Sequence, residues 1–300
     1  MAKLSIVINT INEEEHISGA IKSVSGIADE VIVVDMKSVD ATRTLAKKLG
    51  AKVYEHKPMG YVEPARNFAI SKATGDWILI LDADERVTPE LAKNIRKILK
   101  KPAADYYRIP RKNIIFGKWM QYSRWWPDYN IRLFKKGTVS WSEIIHSVPM
   151  TAGKGLDLEA MEDNALIHHH YETIEQYVER LNRYTSMQAK NLKSSHYLFT
   201  WKDLLRKPAN EFFSRYFEGQ GYKDGLHGLA VALLQAFSEV VLYLKVWQDS
   251  KFKSGSFEVD DAITQLKSVQ KDANYWFAHT QILQGKSEFI NKIKRKFKLP

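Results

Sequence analysis

Short apolar runs alternate with segments of helical spacing through the first hundred or so of the 300 residues. Leu4-Ser5-Ile6-Val7-Ile8 is apolar and β-branched and predicts a strand. Between Glu13 and Val24, the residues Ile17, Ala20, Ile21 and Val24 recur at helical spacing. Val31-Ile32-Val33-Val34 predicts a second strand ending on Asp35. The helix after it has Asp40 as its cap, Leu45 and Leu49 on its inner face, and Gly50 as its stop. A short strand over 52–54 precedes a helix over 62–73 with Ala65, Phe68, Ala69 and Ala73 as its inner stripe. Trp77 to Leu81 is a wholly apolar fourth strand, and Pro89 opens a helix to about Leu99. Apolar runs without alternation read as strands covered on both faces. The fold class expected is α/β, a doubly wound parallel sheet with right-handed crossovers.

From Ile174 the pattern turns helical, with Tyr177, Leu181, Tyr184 and Met187 near one face. Pro208 predicts the start of a further helix carrying Phe212, Phe213, Tyr216 and Phe217, and Gly219 to Gly228 predict a turn. The run Leu229 to Leu244 is the most apolar of the chain. It contains Gln235 and Glu239 and falls slightly short of a bilayer span, which predicts a core helix or one lying on a membrane. The last helix sets Phe289, Ile290, Ile293 and Phe297 against Lys292, Lys294, Arg295, Lys296 and Lys298, a pattern suited to anionic headgroups. The expected division is therefore 1–172, the α/β domain, and 173–300, a mainly helical region that associates with a membrane.

A hydrophobic content of 44% supports a substantial core, and the absence of cysteine excludes disulfides and thiolate metal sites. It is compatible with a reducing cytoplasm. The N-terminal run breaks at Asn9 into acidic residues, which is not the shape of a signal or transit peptide. A net charge of +10 calls for an anionic partner, and nucleic acid, anionic lipid and nucleotide phosphate all qualify.

The chemistry sits at strand ends, where open α/β sheets bind ligands. Asn9 to Glu14, Asp35 to Asp40 and Asp82 to Glu85 are polar or acidic stretches of this kind. No Gly-x-Gly-x-x-Gly follows the first strand, which argues against a nicotinamide or flavin enzyme. Asp82 and Asp84, with Glu85 as a third acid, suit a hard divalent cation that also binds phosphate oxygens. Two acids on one short turn repel each other unless a cation or donor neutralises them. Asp35 can accept hydrogen bonds from a ribose or base edge, whereas Asp40 reads as a helix cap. Arg66 either reaches a diphosphate by a bidentate contact or pairs with Glu63 or Asp84, and spacing leaves both open.

Ser5 to Glu14, Val33-Val34-Asp35 with Ser38 and Asp40, Ala65-Arg66-Asn67 and Leu81-Asp82-Ala83-Asp84, in that order and spacing, resemble a family 2 glycosyltransferase. Trp126-Pro127-Asp128-Tyr129-Asn130-Ile131-Arg132-Leu133-Phe134 resembles the branch containing lipopolysaccharide-core β-1,4-glucosyltransferases. His168-His169-His170-Tyr171 and Gly225-Leu226-His227-Gly228 extend the likeness more weakly. The resemblance implies a GT-A type, Rossmann-like nucleotide-sugar-binding domain with a helical C-terminal extension. It implies an inverting displacement from a nucleotide-diphosphate sugar, a UDP-sugar foremost, onto a lipid-linked or cell-envelope glycan, with Mg²⁺ or Mn²⁺ as cofactor. Thr10, Asn12, Glu14 and Asp35 would hold the nucleoside. Arg66 would lie near the diphosphate, Asp82 would reach the ribose and metal, and Asp84 would be the principal metal ligand. The protein would work in the cytoplasm at the inner face of the cell membrane and would not engage nucleic acid.

Three departures stand out. Asn9 replaces the usual proline, Met36-Lys37 replace acidic or small residues after Asp35, and His146-Ser147 lacks the family's acid after the histidine. The candidates for general base are Glu143, then His146, with Asp128 in an aromatic setting as a third. The aromatics of 119–126 fit either a sugar platform or a core. Three consecutive histidines on a strand point to alternate faces and do not form one metal tract; one of them, His168 foremost, is expected to approach the donor site and the other two to serve structure. Two rival readings are an aspartate-nucleophile phosphatase and a non-enzymatic basic binder of RNA or lipid. The phosphatase would carry its Asp-x-Asp on the first strand, followed by Gly or Thr. The binder leaves the ordered strand-end acids unexplained.

Overall fold

The apolar runs of the N-terminal half become four parallel strands in a computed structural model that describes residues 2–57, 63–141, 149–253 and 255–300. These are β1 (Leu4–Thr10), β2 (Glu30–Asp35), β3 (Lys52–Glu55) and β4 (Trp77–Asp82), side by side in the order β3-β2-β1-β4. Their side chains divide between two cores because a strand presents alternate residues to opposite faces. Leu4, Ile6, Ile8, Leu79 and Leu81 pack with α1 (Ile17–Val24), α2 (Thr42–Lys48) and α4 (Pro89–Lys100). Val7, Ile32, Val34, Ile78 and Ile80 pack with Ala65, Ala69 and Ala73 in and just after α3 (Glu63–Lys72). Both faces being covered explains why these runs show no polar alternation.

The sheet continues in a mixed sense. β7 (Asp128–Lys135) runs antiparallel to β4, and β6 (Tyr106–Ile115) antiparallel to β7. β8 (Leu166–Tyr171) lies next to β6, and β5 (Glu85–Val87) closes the row antiparallel to β8. β4 and β5 are adjacent in the chain yet four places apart in the sheet. A flat sheet would separate them by about 19 Å, while Asp82 to Glu85 can reach only about 10 Å. The sheet must therefore curl, and the two-residue bridge of that curl is Ala83-Asp84. Sheet closure thus places the aspartate turn against β8.

Some element bounds differ from expectation. α1 starts at Ile17 rather than Glu13: residues 14–16 form a turn in which Ile17 N bonds to the Glu13 carbonyl at 2.8 Å, while Glu13 N and Glu14 N bond to Thr42 Oγ1 and Asp40 Oδ2. Val62, expected to begin α3, lies outside the described residues. α4 begins as predicted, with Thr88 Oγ1 accepting from Leu91 N at 3.1 Å.

The chain forms two compact units, residues 1–114 with 126–170 and residues 115–125 with 171–300. The stretch 115–125, expected in the first domain, therefore belongs with the helical unit. Ile115 and Met120 are buried there in one cluster with Tyr171, Tyr177 and Val231. Trp125, half-buried, packs against the same cluster with the Arg215 guanidinium 5.3 Å from its ring centre. The second unit comprises α5 (Ile174–Ser194), α6 (Asp203–Phe213), α7 (Leu226–Asp249), α8 (Val259–Leu283) and α9 (Glu288–Phe297). Pro208 lies inside α6 instead of opening it; the helix begins at Asp203, whose Oδ2 accepts from Thr200 N at 2.8 Å. α7 is longer than its apolar run suggested and, at 24 residues, is long and apolar enough to cross a membrane. Gly228 in its first turn faces the Gly221 carbonyl so closely that a Cβ there would overlap it.

Candidate active site

Two loops at the carboxyl edge of the parallel strands brace each other. Asn12, in the left-handed region at φ 52°, donates its N–H to Ser38 Oγ at 2.8 Å, and its Oδ1 accepts from Val39 N at 2.9 Å. Glu13 N donates to Thr42 Oγ1, and Glu14 Oε2 accepts from Ala41 N, both at 2.8 Å. Asp40 Oδ1 accepts from Thr42 N and Oγ1, so Asp40 does act at the start of α2. Asn12 and Glu14, expected to hold the nucleoside, brace the Asp35 loop.

Asp35 itself is fully buried. Its Oδ2 accepts from Ser38 N at 3.0 Å, with Arg43 Nε 3.7 Å away. Its Oδ1 has no partner, and neither do Thr10 Oγ1 and the side-chain amide of Asn9. A buried acceptor left without a donor costs about 1–3 kcal/mol. Asp35 Oδ1 sits at a strand end with capacity to accept one N–H or O–H. Thr10 pairs in register with Asp35, and Asn9 with Asp82, so Asp35 and the aspartate turn flank β1.

The aspartate turn splits its acids between two environments. Asp82, 26% exposed, lies between Arg66 Nη2 at 3.2 Å from Oδ1 and Arg132 Nη2 at 2.5 Å from Oδ2. Burial disfavours its charge, but Arg132 foremost and then Arg66 hold the carboxyl far below the usual range. Glu85, expected as a third metal-facing acid, is instead fully buried. One of its oxygens accepts from Arg132 and the other from Asp82 N, so it is a structural acid and not a ligand. Asp84 is nearly buried, and its Oδ2 lies 3.5 Å from His168 Nε2. His168 Nδ1 is 2.6 Å from Asn113 Oδ1, and His170 Nδ1 is 3.4 Å from His168 Nε2. His169 donates its N–H to the Asp84 carbonyl. β8 therefore presents His168 to the aspartate turn, with His170, two residues on and on the same face, against it.

Asp128, the third candidate base, accepts at Oδ2 from Arg111 at 2.6 Å and Asn113 at 3.1 Å, and at Oδ1 from Asn130 at 3.3 Å. Arg111 Nη1 also stands 3.5 Å from Glu85. The acid belongs to a chain of contacts leading back to the aspartate turn. Glu143 and His146 lie outside the described residues. Trp141, just before them, is held by Asn67, whose Nδ2 donates to the Trp141 carbonyl at 2.6 Å and whose Oδ1 accepts from Trp141 N at 2.9 Å. A cavity of about 760 Å³ opens beside Arg66 and Arg132, with Tyr106, Arg108, Tyr129 and Trp141 on its walls.

Sequence reasoning gave no role to Arg132, Arg111 or Asn113. A signal existed for the first: a cation inside Ile131-Arg132-Leu133-Phe134 must meet a buried acid. Which acid it meets follows only from the strand order.

The chain is similar to proteins of one family. The model for glycosyl transferase family 2 matches residues 5–162. An uncharacterized glycosyltransferase of Rickettsia typhi is 34% identical over 255 residues, covering 82% of this chain and 87% of its own. A lipopolysaccharide core biosynthesis glycosyltransferase of Rhizobium meliloti is 24% identical over 270 residues, 87% of this chain and 97% of that protein. Among solved structures, glucosyl-3-phosphoglycerate synthase from Mycobacterium tuberculosis, in complex with Mn²⁺, UDP and glucosyl-3-phosphoglycerate, aligns with 37% of this chain and 44% of its own. The TM-score is 0.32 and the identity 23%. The curled sheet with acids at its parallel strand ends is a GT-A fold, and the chain belongs to glycosyltransferase family 2.

Proposed function

We propose that this family 2 enzyme transfers a sugar, with inversion, from a nucleotide-diphosphate donor, a UDP-sugar in first place, to a hydroxyl of a lipid-linked or cell-envelope glycan. Family membership removes the phosphatase and the non-enzymatic binder as readings. The observation that carries the donor assignment is the pair of sites flanking β1. A buried, partnerless Asp35 Oδ1 stands on one side and the Asp84–His168 pair on the other. Asp35 and Asp82, which end the strands on either side of β1, are about 10 Å apart across two strand spacings, on the scale of a nucleoside diphosphate, and Asp84 follows Asp82 by two residues.

Asp35 would accept from the base or ribose, with Thr10 beside it. A divalent ion fits the other side: an anionic oxygen and an imidazole nitrogen converge there, a donor set that hard to borderline cations take. Asp84 and His168 would hold Mg²⁺ or Mn²⁺, which would stabilise the negative charge gathering on the leaving diphosphate. Arg66 and Arg132 keep Asp82 ionised and fixed in orientation at the ribose side. The aromatic walls of the cavity beside these arginines suit the faces of an acceptor saccharide. Glu143, two residues beyond the anchored Trp141, is the proposed base that takes the acceptor proton, with His146 as its alternate. Asp128, tied to Arg111, is assigned to positioning.

The second unit supports attachment to the cytoplasmic face of a cell membrane. Phe289, Ile290, Ile293 and Phe297 of α9 are exposed beside Lys294, Arg295 and Lys296, and Leu226, Leu233, Phe237 and Leu244 are exposed along α7. Flotation with vesicles containing anionic phosphatidylglycerol, against neutral phosphatidylcholine, tests this; equal recovery with both defeats it.

The donor reading is tested by a thermal-shift panel of UDP, UDP-sugars and other nucleotide sugars, with Mn²⁺ and with EDTA. A metal-dependent rise with a nucleotide sugar is expected, and Asp84→Asn should abolish the metal dependence. Unchanged sugar transfer by Asp84→Asn with Mn²⁺ present would overturn the metal assignment.

A further inference from the structure

Arg86 follows the aspartate turn directly, on β5, and its guanidinium donates to three main-chain carbonyls. Nη1 donates to the Ala83 and Glu85 carbonyls, each at 2.8 Å, and Nη2 to the His16 carbonyl at 2.9 Å. Ala83 is the residue between the two aspartates. His16 ends the loop that follows β1, and its carbonyl also accepts from Gly19 N and Ala20 N at the start of α1. The helix is shaped for this guanidinium. A Cβ built on Gly19 would stand 2.4 Å from Arg86 Nε and 2.6 Å from its Cζ. Ser23 Oγ, one turn further along α1, accepts from Val87 N at 3.2 Å and fixes the next residue of β5 to the same helix.

The loop ending at His16 braces the Asp35 loop through Asn12 and Glu14, and the turn at Ala83 carries the metal end of the donor site proposed above. A donor held at both ends needs their separation fixed, since misplacement by about 1 Å costs on the order of 100-fold in rate. We propose that Arg86 is a positioning residue that locks the Ala83–Asp84 peptide to the loop after β1, setting the metal end of the donor site in register with the nucleoside end. The inference rests on the donor-site reading. It adds a cation that need not touch the donor and works through the carbonyl between the two aspartates.

The test is the gain in UDP affinity that Mn²⁺ confers, measured by titration calorimetry as the Kd in EDTA divided by the Kd in Mn²⁺. Arg86→Ala removes the clamp, Arg86→Lys retains at most part of it, and Gly19→Ala displaces the guanidinium without deleting it. The gain is expected to fall about tenfold or more in Arg86→Ala and Gly19→Ala and less in Arg86→Lys, with Kd in EDTA within about threefold of wild type. A role confined to stability would lower the melting temperature and leave the gain at its wild-type value, which would overturn the proposal. Should Arg86→Ala fail to fold, Gly19→Ala and Arg86→Lys decide by the same ratio. A wild-type protein with no Mn²⁺ gain overturns the donor-site reading and this inference with it. A normal wild-type gain kept by the variants overturns this inference alone.

Discussion

Replacing Arg132 by methionine isolates the buried charges behind the aspartate turn. The Arg132 side chain is 3% exposed and its Nη2 meets Asp82 Oδ2 and Glu85 Oε1 at 2.5 Å each. Methionine keeps much of the volume and removes the cation, leaving two carboxylates facing one another. Arg66 at 3.2 Å from Asp82 and Arg111 at 3.5 Å from Glu85 compensate only in part. Stranding a buried charge in this way costs about 3–5 kcal/mol. Because the chain has two units, a single unfolding midpoint would mix their stabilities. Hydrogen exchange at the β4 and β7 amides reads the affected sheet alone. At about 1.4 kcal/mol per decade, the expected acceleration at globally protected amides is roughly two to three and a half orders of magnitude. Asp82 has a depressed carboxyl pKa, so its contribution is present above the unfolded carboxylate range and is lost as the pH falls below about 4. The gap between wild type and Arg132→Met should narrow over that window. The double variant Glu85→Gln/Arg132→Met removes one stranded acid and should exchange no faster than Arg132→Met. Acceleration of less than tenfold at pH 7 would refute the view of Arg132 as the counter-ion on which the turn depends.

Asp35→Asn weakens the acceptor at the nucleoside socket, and a lost charge-assisted hydrogen bond of about 1.5–3 kcal/mol should raise the Kd for UDP about 10- to 100-fold by calorimetry; a change under threefold would count against the socket. Glu30 accepts from Ser5 Oγ, Lys52 Nζ and Thr74 N, which against the effect of burial hold its pKa at about 2. Its stabilisation, up to about 3 kcal/mol, is present above the unfolded value and lost as the pH falls from about 4.5 towards 2, so Glu30→Gln should flatten the acid limb of stability. An acid limb in Glu30→Gln as steep as that of wild type would sink the assignment. Asn67→Ala releases both bonds to the Trp141 main chain and should lower kcat for sugar transfer while leaving the Kd for UDP unchanged; equal damage to both would place Asn67 at the donor instead.

Sequence reasoning reached what is local along the chain. The strands and the acids ending them each depend on a few neighbouring residues and appear where the pattern put them, while Asp40 bonds to Thr42 N from one place before the cap position, Ala41. The start of α1 and the place of Pro208 differ from the pattern, since a turn over 14–16 precedes α1 and α6 extends upstream to Asp203. The transfer of residues 115–125 to the helical unit depends on burial against Tyr171 and Tyr177, more than 45 positions away. Such a contact leaves no trace in periodicity.

The site shows the same limit more sharply, because its partners meet through the curl of the sheet. Asp82 and Asp84 look equivalent in sequence, and β7 and β8 make them different by bringing Arg132 to one and His168 to the other. A guanidinium keeps its charge at any working pH, so Asp82 is permanently compensated and would meet a metal only by weakening those contacts. An imidazole can be neutral and offer a lone pair, so the neighbour of Asp84 can join a coordination sphere rather than compete with it. On the proposed reading this asymmetry, and not the spacing of the two carboxylates, assigns the metal to Asp84 and leaves Asp82 to orient the ribose.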